Sequence, residues 1–194
     1  GVDAAIRQGR RFRVPAGEYL VSQPLRIAGA NATNATTGVT DALTSLAMEG
    51  DGLAQTKIVA STEMFAVIMY PTCCGSLAPT TTHQYIGKMV IDANGTADYG
   101  VQGSAITGSL FEELYVVNSQ VAGISLGFGY NNRIINSELE SNYMGVVVMN
   151  ADNNVQVERC VIVDCIVGIY IGGGLGVKVT GCDIEGNGGP AIIA

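Results

Sequence analysis

The sequence predicts an all-β fold, a right-handed parallel β-helix with coils of about 22–23 residues, on three observations. Four segments of the second half align at a near-constant period. Within each segment the matched apolar positions alternate with other residues, the two-residue period of a strand. Gly, Asn and Asp interrupt every apolar run before a helix of roughly ten residues could form.

The aligned segments are Leu110–Leu126, Arg133–Val148, Gln156–Ile171 and Lys178–Ile193. Phe111, Ile134, Val157 and Val179 follow one another at offsets of 23, 23 and 22. Leu114, Ser137, Cys160 and Cys182 keep those offsets, and so do Val116, Leu139, Ile162 and Ile184. A second strand gives the column Gly123, Gly145, Gly168 and Pro190. It is followed by Ile124, Val146, Ile169 and Ala191, then by Leu126, Val148, Ile171 and Ile193. Coils that close at this period stack their strands ~4.8 Å apart, so like residues lie over like residues in aliphatic ladders. The leucine-rich repeat is the rival at this period, but its Leu-x-x-Leu-x-Leu consensus is missing. The glycine column implies a turn at positive φ or a close approach of backbone. Earlier coils are looser: Met89 and Ile91 precede Leu114 and Val116 by 25, and Gly100 precedes Gly123 by 23.

The 194 residues read as a single β-helix domain. Residues 1–28 supply an N-terminal cap and the first strands, with Asp3–Gln8 as the end of a short capping helix and Arg13–Val21 as strand, Pro-x-Gly turn and strand. Residues 29–43 form a polar loop, 71–83 a Thr/Pro-rich insertion, and 84–194 the regular coils. The chain begins at Gly1 and reads as a mature or trimmed product. It stops at Ala194 amid an aliphatic ladder. An open coil exposes unpaired N–H and C=O groups over a core, so further chain or a neighbouring subunit is expected to cover it. With Arg10, Arg11 and Arg13 at one end and Asp183 and Glu185 at the other, that contact would self-associate the chain into a filament.

Hydrophobic residues make up 47% of the chain and charged residues 14%, which excludes a disordered chain. The apolar runs are far too short for a helical membrane span. At a net charge of −7, with half of the ten basic residues before position 27, a nucleic-acid footprint is not expected. Asn31, Asn34 and Asn94 each open an N-glycosylation triplet, the first two in tandem, so the chain reads as a secreted, extracellular protein carrying covalent N-glycans.

The outward columns beside Leu139 are Tyr115, Glu138, Val161, Asp183 and Val117, Glu140, Val163, Glu185. Glu138 and Glu140 share one strand ~6.5–7 Å apart, a separation used by the acid and base of inverting glycosidases. Asp183 and Glu185 repeat the pair two coils on. Such carboxylates are expected simply to face water and no cofactor is expected, although rows of carboxylates could equally hold Ca²⁺. No Cys/His spacing typical of a metal site exists. Cys160 and Cys182 share an inward column, within disulfide reach or as buried thiols. Cys73, Cys74 and Cys165 have no assignable partners. His83, the single histidine, sits in the insertion with no evident orienting neighbour.

The run from Ala4-Ala5-Ile6 through "RRFRVPAGEYLVSQPLRI", followed by Glu49-Gly-Asp-Gly52 and Thr56-Lys-Ile58, resembles the opening of pectin-lyase-like, pectate-lyase-superfamily β-helix domains. The resemblance implies a helix capping the first coil and a Pro-x-Gly-x-Tyr turn starting the stack. It also implies kinship with lyases, hydrolases, epimerases, phage tailspikes and non-catalytic surface proteins. The superfamily's polygalacturonases carry Asn-x-Asp, Asp-Asp, Gly-His-Gly and Arg-x-Lys motifs; the matching region here reads Ser137-Glu-Leu-Glu-Ser141. Pectate lyases need an arginine base and clustered Ca²⁺-binding aspartates, whereas Arg133 and Arg159 read as isolated. Trp is absent, leaving Tyr115, Tyr130, Tyr143 and Tyr170 for sugar stacking.

Three functional expectations result. The first is a structural or adhesive extracellular glycoprotein. The second is an enzyme acting on acidic polysaccharide through Glu138, Glu140, Asp183 and Glu185. The third is a carbohydrate-binding fragment of a longer enzyme.

Overall fold

The computed structural model describes residues 11–27, 32–33, 40–41, 47–70, 81–150 and 152–194. Every regular element among them is a strand. The first coils are built from β1 (Arg11–Val14), β2 (Gly17–Val21), β3 (Leu25–Arg26), β4 (Ala32–Thr33), β5 (Thr40–Asp41), β6 (Ala47–Gly50), β7 (Thr56–Ala60) and β8 (Met64–Met69). Next come β9 (Thr81–Thr82), β10 (Tyr85–Asp92), β11 (Ala97–Ser104), β12 (Ile106–Thr107), β13 (Leu110–Val117) and β14 (Ala122–Gly127). The regular coils repeat a three-strand unit: β15 (Arg133–Ile135), β16 (Glu138–Glu140) and β17 (Met144–Met149), then β18 (Gln156–Glu158), β19 (Val161–Val163) and β20 (Val167–Gly172). The last coil holds β21 (Lys178–Thr180), β22 (Asp183–Glu185) and β23 (Ile192–Ile193).

Strands of successive coils pair in parallel, the hallmark of a β-helix. A 12-stranded sheet runs along two tracks, β1-β6-β10-β13-β15-β18-β21 and β2-β7-β10-β13-β16-β19-β22, because the longer β10 and β13 serve both. A seven-stranded sheet, β3-β8-β11-β14-β17-β20-β23, closes each coil. The sole antiparallel pair among the described strands, β4 with β5, lies inside the 29–43 loop. β9, at the end of the Thr/Pro-rich stretch, pairs with β12 and so already belongs to the stack. The expected capping helix at Asp3–Gln8 lies outside the described residues.

The register follows the sequence columns: Phe111 over Ile134, Val157 and Val179, and Val116 over Leu139, Ile162 and Ile184. The final coil is a correction. Ile169 pairs with Ile192 and Tyr170 with Ile193, not Ile169 with Ala191 and Ile171 with Ile193. Ile169 lies six residues after Val163, whereas its partner Ile192 lies seven after Glu185, the partner of Val163, so β23 slips by one position.

Each corner of the coil is made by a residue in the left-handed region, and these corners stack. One column is Lys88, Glu113, Asn136, Arg159 and Gly181; another is Asn118, Ser141, Asp164 and Gly186. Asn, Asp and Gly reach this region most easily, which accounts for the punctuation in the sequence. Inside lies one continuous ladder of fully buried side chains, including Phe111, Leu114, Val116, Ile134, Leu139, Val157 and Ile162. The glycine column acts by close approach. A Cβ at Gly145 would lie 2.4 Å from Ile162 Cγ2 and 2.6 Å from the Gly168 carbonyl oxygen.

Candidate functional site

The second track of the large sheet presents two outward columns. One reads Glu18, Lys57, Val90, Tyr115, Glu138, Val161, Asp183; the other Leu20, Val59, Asp92, Val117, Glu140, Val163, Glu185. Glu138 and Glu140 flank the buried Leu139 and stay half-buried. Asp183 and Glu185 are exposed, with the Val161–Val163 coil between the two pairs. The four carboxylates therefore form two separate pairs, not one constellation.

The partner of Glu140 lies one coil earlier. The Tyr115 hydroxyl donates to Glu140 Oε2. That bond, together with burial and the charges of Glu140, Glu138 and Asp92, pushes the phenol up to about 12. Asp92, one coil before Tyr115, is buried and takes three donors. They are Lys57 Nζ at 2.8 Å, Asn118 Nδ2 at 3.0 Å and the Asn94 N–H at 2.8 Å. Burial pushes its carboxyl up, but these donors outweigh it and hold the pKa below the usual aspartate value. The same contact with Asp92 raises Lys57. Asp92 is absent from the residues singled out by sequence. The offset of 25 that pairs Ile91 with Val116 places it in the Glu140 column, and that signal was present.

Where these strands end, the corners form a polar groove lined by Asn94, Gly95, Asn118, Ser119, Gln120 and Ser141. Gln120 Nε2 donates to the Gly95 carbonyl at 2.6 Å, and Asn118 reaches back to Asp92, so the groove adjoins the carboxylates. Tyr143 follows at its edge, 53% exposed. Below it the Asn142 side chain links two coils, accepting from the Ser119 N–H at 2.9 Å and donating to the Val116 carbonyl at 2.9 Å.

Other sequence-marked residues lie elsewhere. Asn94 is exposed in the groove, but its Nδ2 donates to the Ala60 carbonyl at 3.0 Å and its backbone is left-handed. Asn31, Asn34, Cys73 and Cys74 lie outside the described residues. Cys160, Cys165 and Cys182 are free thiols, the first two buried. Burial pushes Cys160 up to about 12 and raises Cys165. His83 is exposed at a corner. Arg133 and Arg159, isolated in sequence, share Glu158 at 3.2 and 3.7 Å. Arg11 pairs with Glu49 at 3.0 Å and Arg13 with Asp51, so both are committed to the chain's own next coil. Among the described residues no three His, Cys, Asp or Glu side chains group as a metal site, and no helix is long and apolar enough to cross a membrane.

Several solved structures share this fold. ORF18 of Geobacillus virus E2 is 18% identical with a TM-score of 0.71, over 90% of this chain and 34% of that one. The catalytic domain of Agl-KA is 17% identical with a TM-score of 0.77, over 96% and 34%. The A-module of the Azotobacter vinelandii mannuronan C-5 epimerase AlgE4 is 15% identical with a TM-score of 0.51, over 98% and 67%. The chain thus spans about a third of the first two, and at these identities the likeness is one of fold. No curated protein sequence matches it. The family described as "Right handed beta helix region" matches residues 93–194, more than half of the chain, and the protein belongs to that family.

Proposed function

We propose that this protein engages a polysaccharide along the outward face of its large sheet. The glycan crosses the coils of Asp92, Tyr115 and Glu138–Glu140 and enters the groove beside Asn118 and Ser141. The observation that carries this reading is the Tyr115–Glu140 pair beside Glu138, at the lip of a groove lined by amides and hydroxyls. Sugar recognition needs fixed acceptors and donors beside an aromatic face, and this surface offers both, with Tyr143 as the exposed ring. The fold neighbours lend support, since one is a module of a mannuronan C-5 epimerase. Affinity electrophoresis of the chain through gels containing dissolved polysaccharides tests the proposal. Retardation in at least one gel, abolished in Glu138→Gln/Glu140→Gln, is the expected result.

A second reading adds chemistry to the same site. Glu138 and Glu140, ~6.5–7 Å apart by strand rise, have the separation of an inverting acid–base pair. New reducing ends released from a retained polysaccharide would favour hydrolysis; retention without release favours binding alone. An extracellular, structural or adhesive setting is supported by the tandem triplets at Asn31 and Asn34. Intact mass before and after glycosidase treatment of protein from its native source tests that setting.

A further inference from the structure

We infer that the polysaccharide taken by this face is uncharged, a neutral hexose or pentose polymer and not a polyuronate; this rests on the glycan-binding reading above. On the two outward columns the one cation is Lys57, and Asp92 already binds it at 2.8 Å. From Asp92 onward those columns carry Glu138, Glu140, Asp183 and Glu185, and none of the four forms an ion pair among the described residues. The other cations of this sheet are spent or distant. Lys88 binds Glu49 at 2.8 Å, Arg133 and Arg159 both bind Glu158, and Lys178 stands on the other track of the last coil. A polyuronate lays down one carboxylate per sugar. Bringing that row against an unneutralised row of the same sign is unfavourable, and the two outward columns hold no guanidinium fork to bind it.

The groove argues against a cationic glycan as well. Its side chains are Asn94, Asn118, Ser119, Gln120 and Ser141, all uncharged. The two carboxylates nearest it already have donors, Glu140 from Tyr115 and Asp92 from Lys57 and Asn118. Amides and hydroxyls that both donate and accept match sugar hydroxyls, which do the same. Specificity here comes from repelling the wrong charge as much as from contacts to the right sugar.

The experiment measures binding of the 194-residue chain to neutral polysaccharides (a soluble β-glucan, a galactan, a xylan), to polygalacturonate and alginate, and to chitosan. Each is run at low and high NaCl and again with EDTA. The expected result is binding to a neutral polymer that changes less than about threefold with salt. Polyuronates should bind at least tenfold more weakly at low salt, and screening should narrow that gap. Asp183→Asn/Glu185→Gln should also narrow it, by weakening the repulsion on the same columns while leaving neutral binding unchanged. Tighter binding of a polyuronate at low salt, EDTA-sensitive polyuronate binding, or preference for chitosan would each overturn the inference while leaving glycan binding intact. Binding to none of the polymers removes the glycan-binding reading, and this inference with it.

Discussion

The Tyr115 hydroxyl donates to the Glu140 carboxylate across neighbouring coils, a diagonal pair that ties the two outward columns together. Tyr115 stands over Glu138, and Val117 over Glu140, so the bond crosses the sheet face instead of running down a column.

The first prediction concerns that bond. With its pKa raised to about 12, the phenol favours its neutral form in the fold. Its contribution to stability is therefore complete below the ordinary tyrosine value and is lost as pH rises through about 12. Ultraviolet titration of the native chain minus Tyr115→Phe should isolate a tyrosine that ionises near 12, and in Glu140→Ala that component should fall back toward 10. A component already near 10 in the native protein would remove the pair.

A glycine in the coil wall should tolerate even a methyl group badly. Gly145→Ala sets Cβ against Ile162 Cγ2 and the Gly168 carbonyl oxygen, both within 2.6 Å. Overpacking of this kind costs about 1–3 kcal/mol. Glu140→Ala, which loses one surface hydrogen bond, should cost no more than ~1 kcal/mol. Urea unfolding curves compare the two, and equal midpoints would mean that the coils are less tightly stacked than described.

Relief of a strained corner should do the opposite. Glu113 has φ 50° in a column that ends at Gly181. A left-handed residue with a Cβ costs about 1–2 kcal/mol, against roughly 0.5–1 kcal/mol for the extra chain entropy of glycine. Glu113→Gly should therefore raise stability by up to ~1 kcal/mol, read as a higher melting temperature; a lower one would contradict the assigned corner.

The ladders were legible because a core residue must recur once per coil, and Phe111, Ile134, Val157 and Val179 do so visibly. The last coil misled because Gly186–Ala191 holds one extra residue, and a slip in a glycine-rich turn leaves the apolar spacing on either side intact. The corners at Lys88, Glu113, Arg159 and Phe128 were not legible either, since none is a residue that favours the left-handed region. At the site, Glu138 and Glu140 stood out through simple alternation. Asp92 did not, because its partners Lys57 and Asn118 lie far off in sequence and meet it only when coils of unequal length stack.

A buried carboxyl provides the pH-dependent prediction. Asp152 is fully buried, and burial raises its pKa to about 6 against the opposing hydrogen bonds from Asn132 Nδ2, at 3.4 Å from each oxygen, and from the Asn153 backbone. The native state thus holds this proton more tightly than the unfolded chain does. Stability from this group is complete below the unfolded value near 3.9 and falls as pH rises through about 6. Asp152→Asn should gain on the order of 2 kcal/mol at pH 7.5 and nothing below pH 4. Chemical denaturation at both pH values checks it, and a variant destabilised at pH 7.5 would mean that an unseen partner holds the charge.

The central claim is that the outward face between Asp92 and Glu140 holds a glycan, and titration of a neutral polysaccharide into the chain by calorimetry tests it most directly. The account predicts saturable binding to the native protein. It predicts at least tenfold weaker binding for Glu138→Gln/Glu140→Gln, and unchanged binding for Asp183→Asn/Glu185→Gln, whose carboxylates lie two coils away. Equal binding by all three proteins, or loss confined to the Asp183/Glu185 variant, would contradict it.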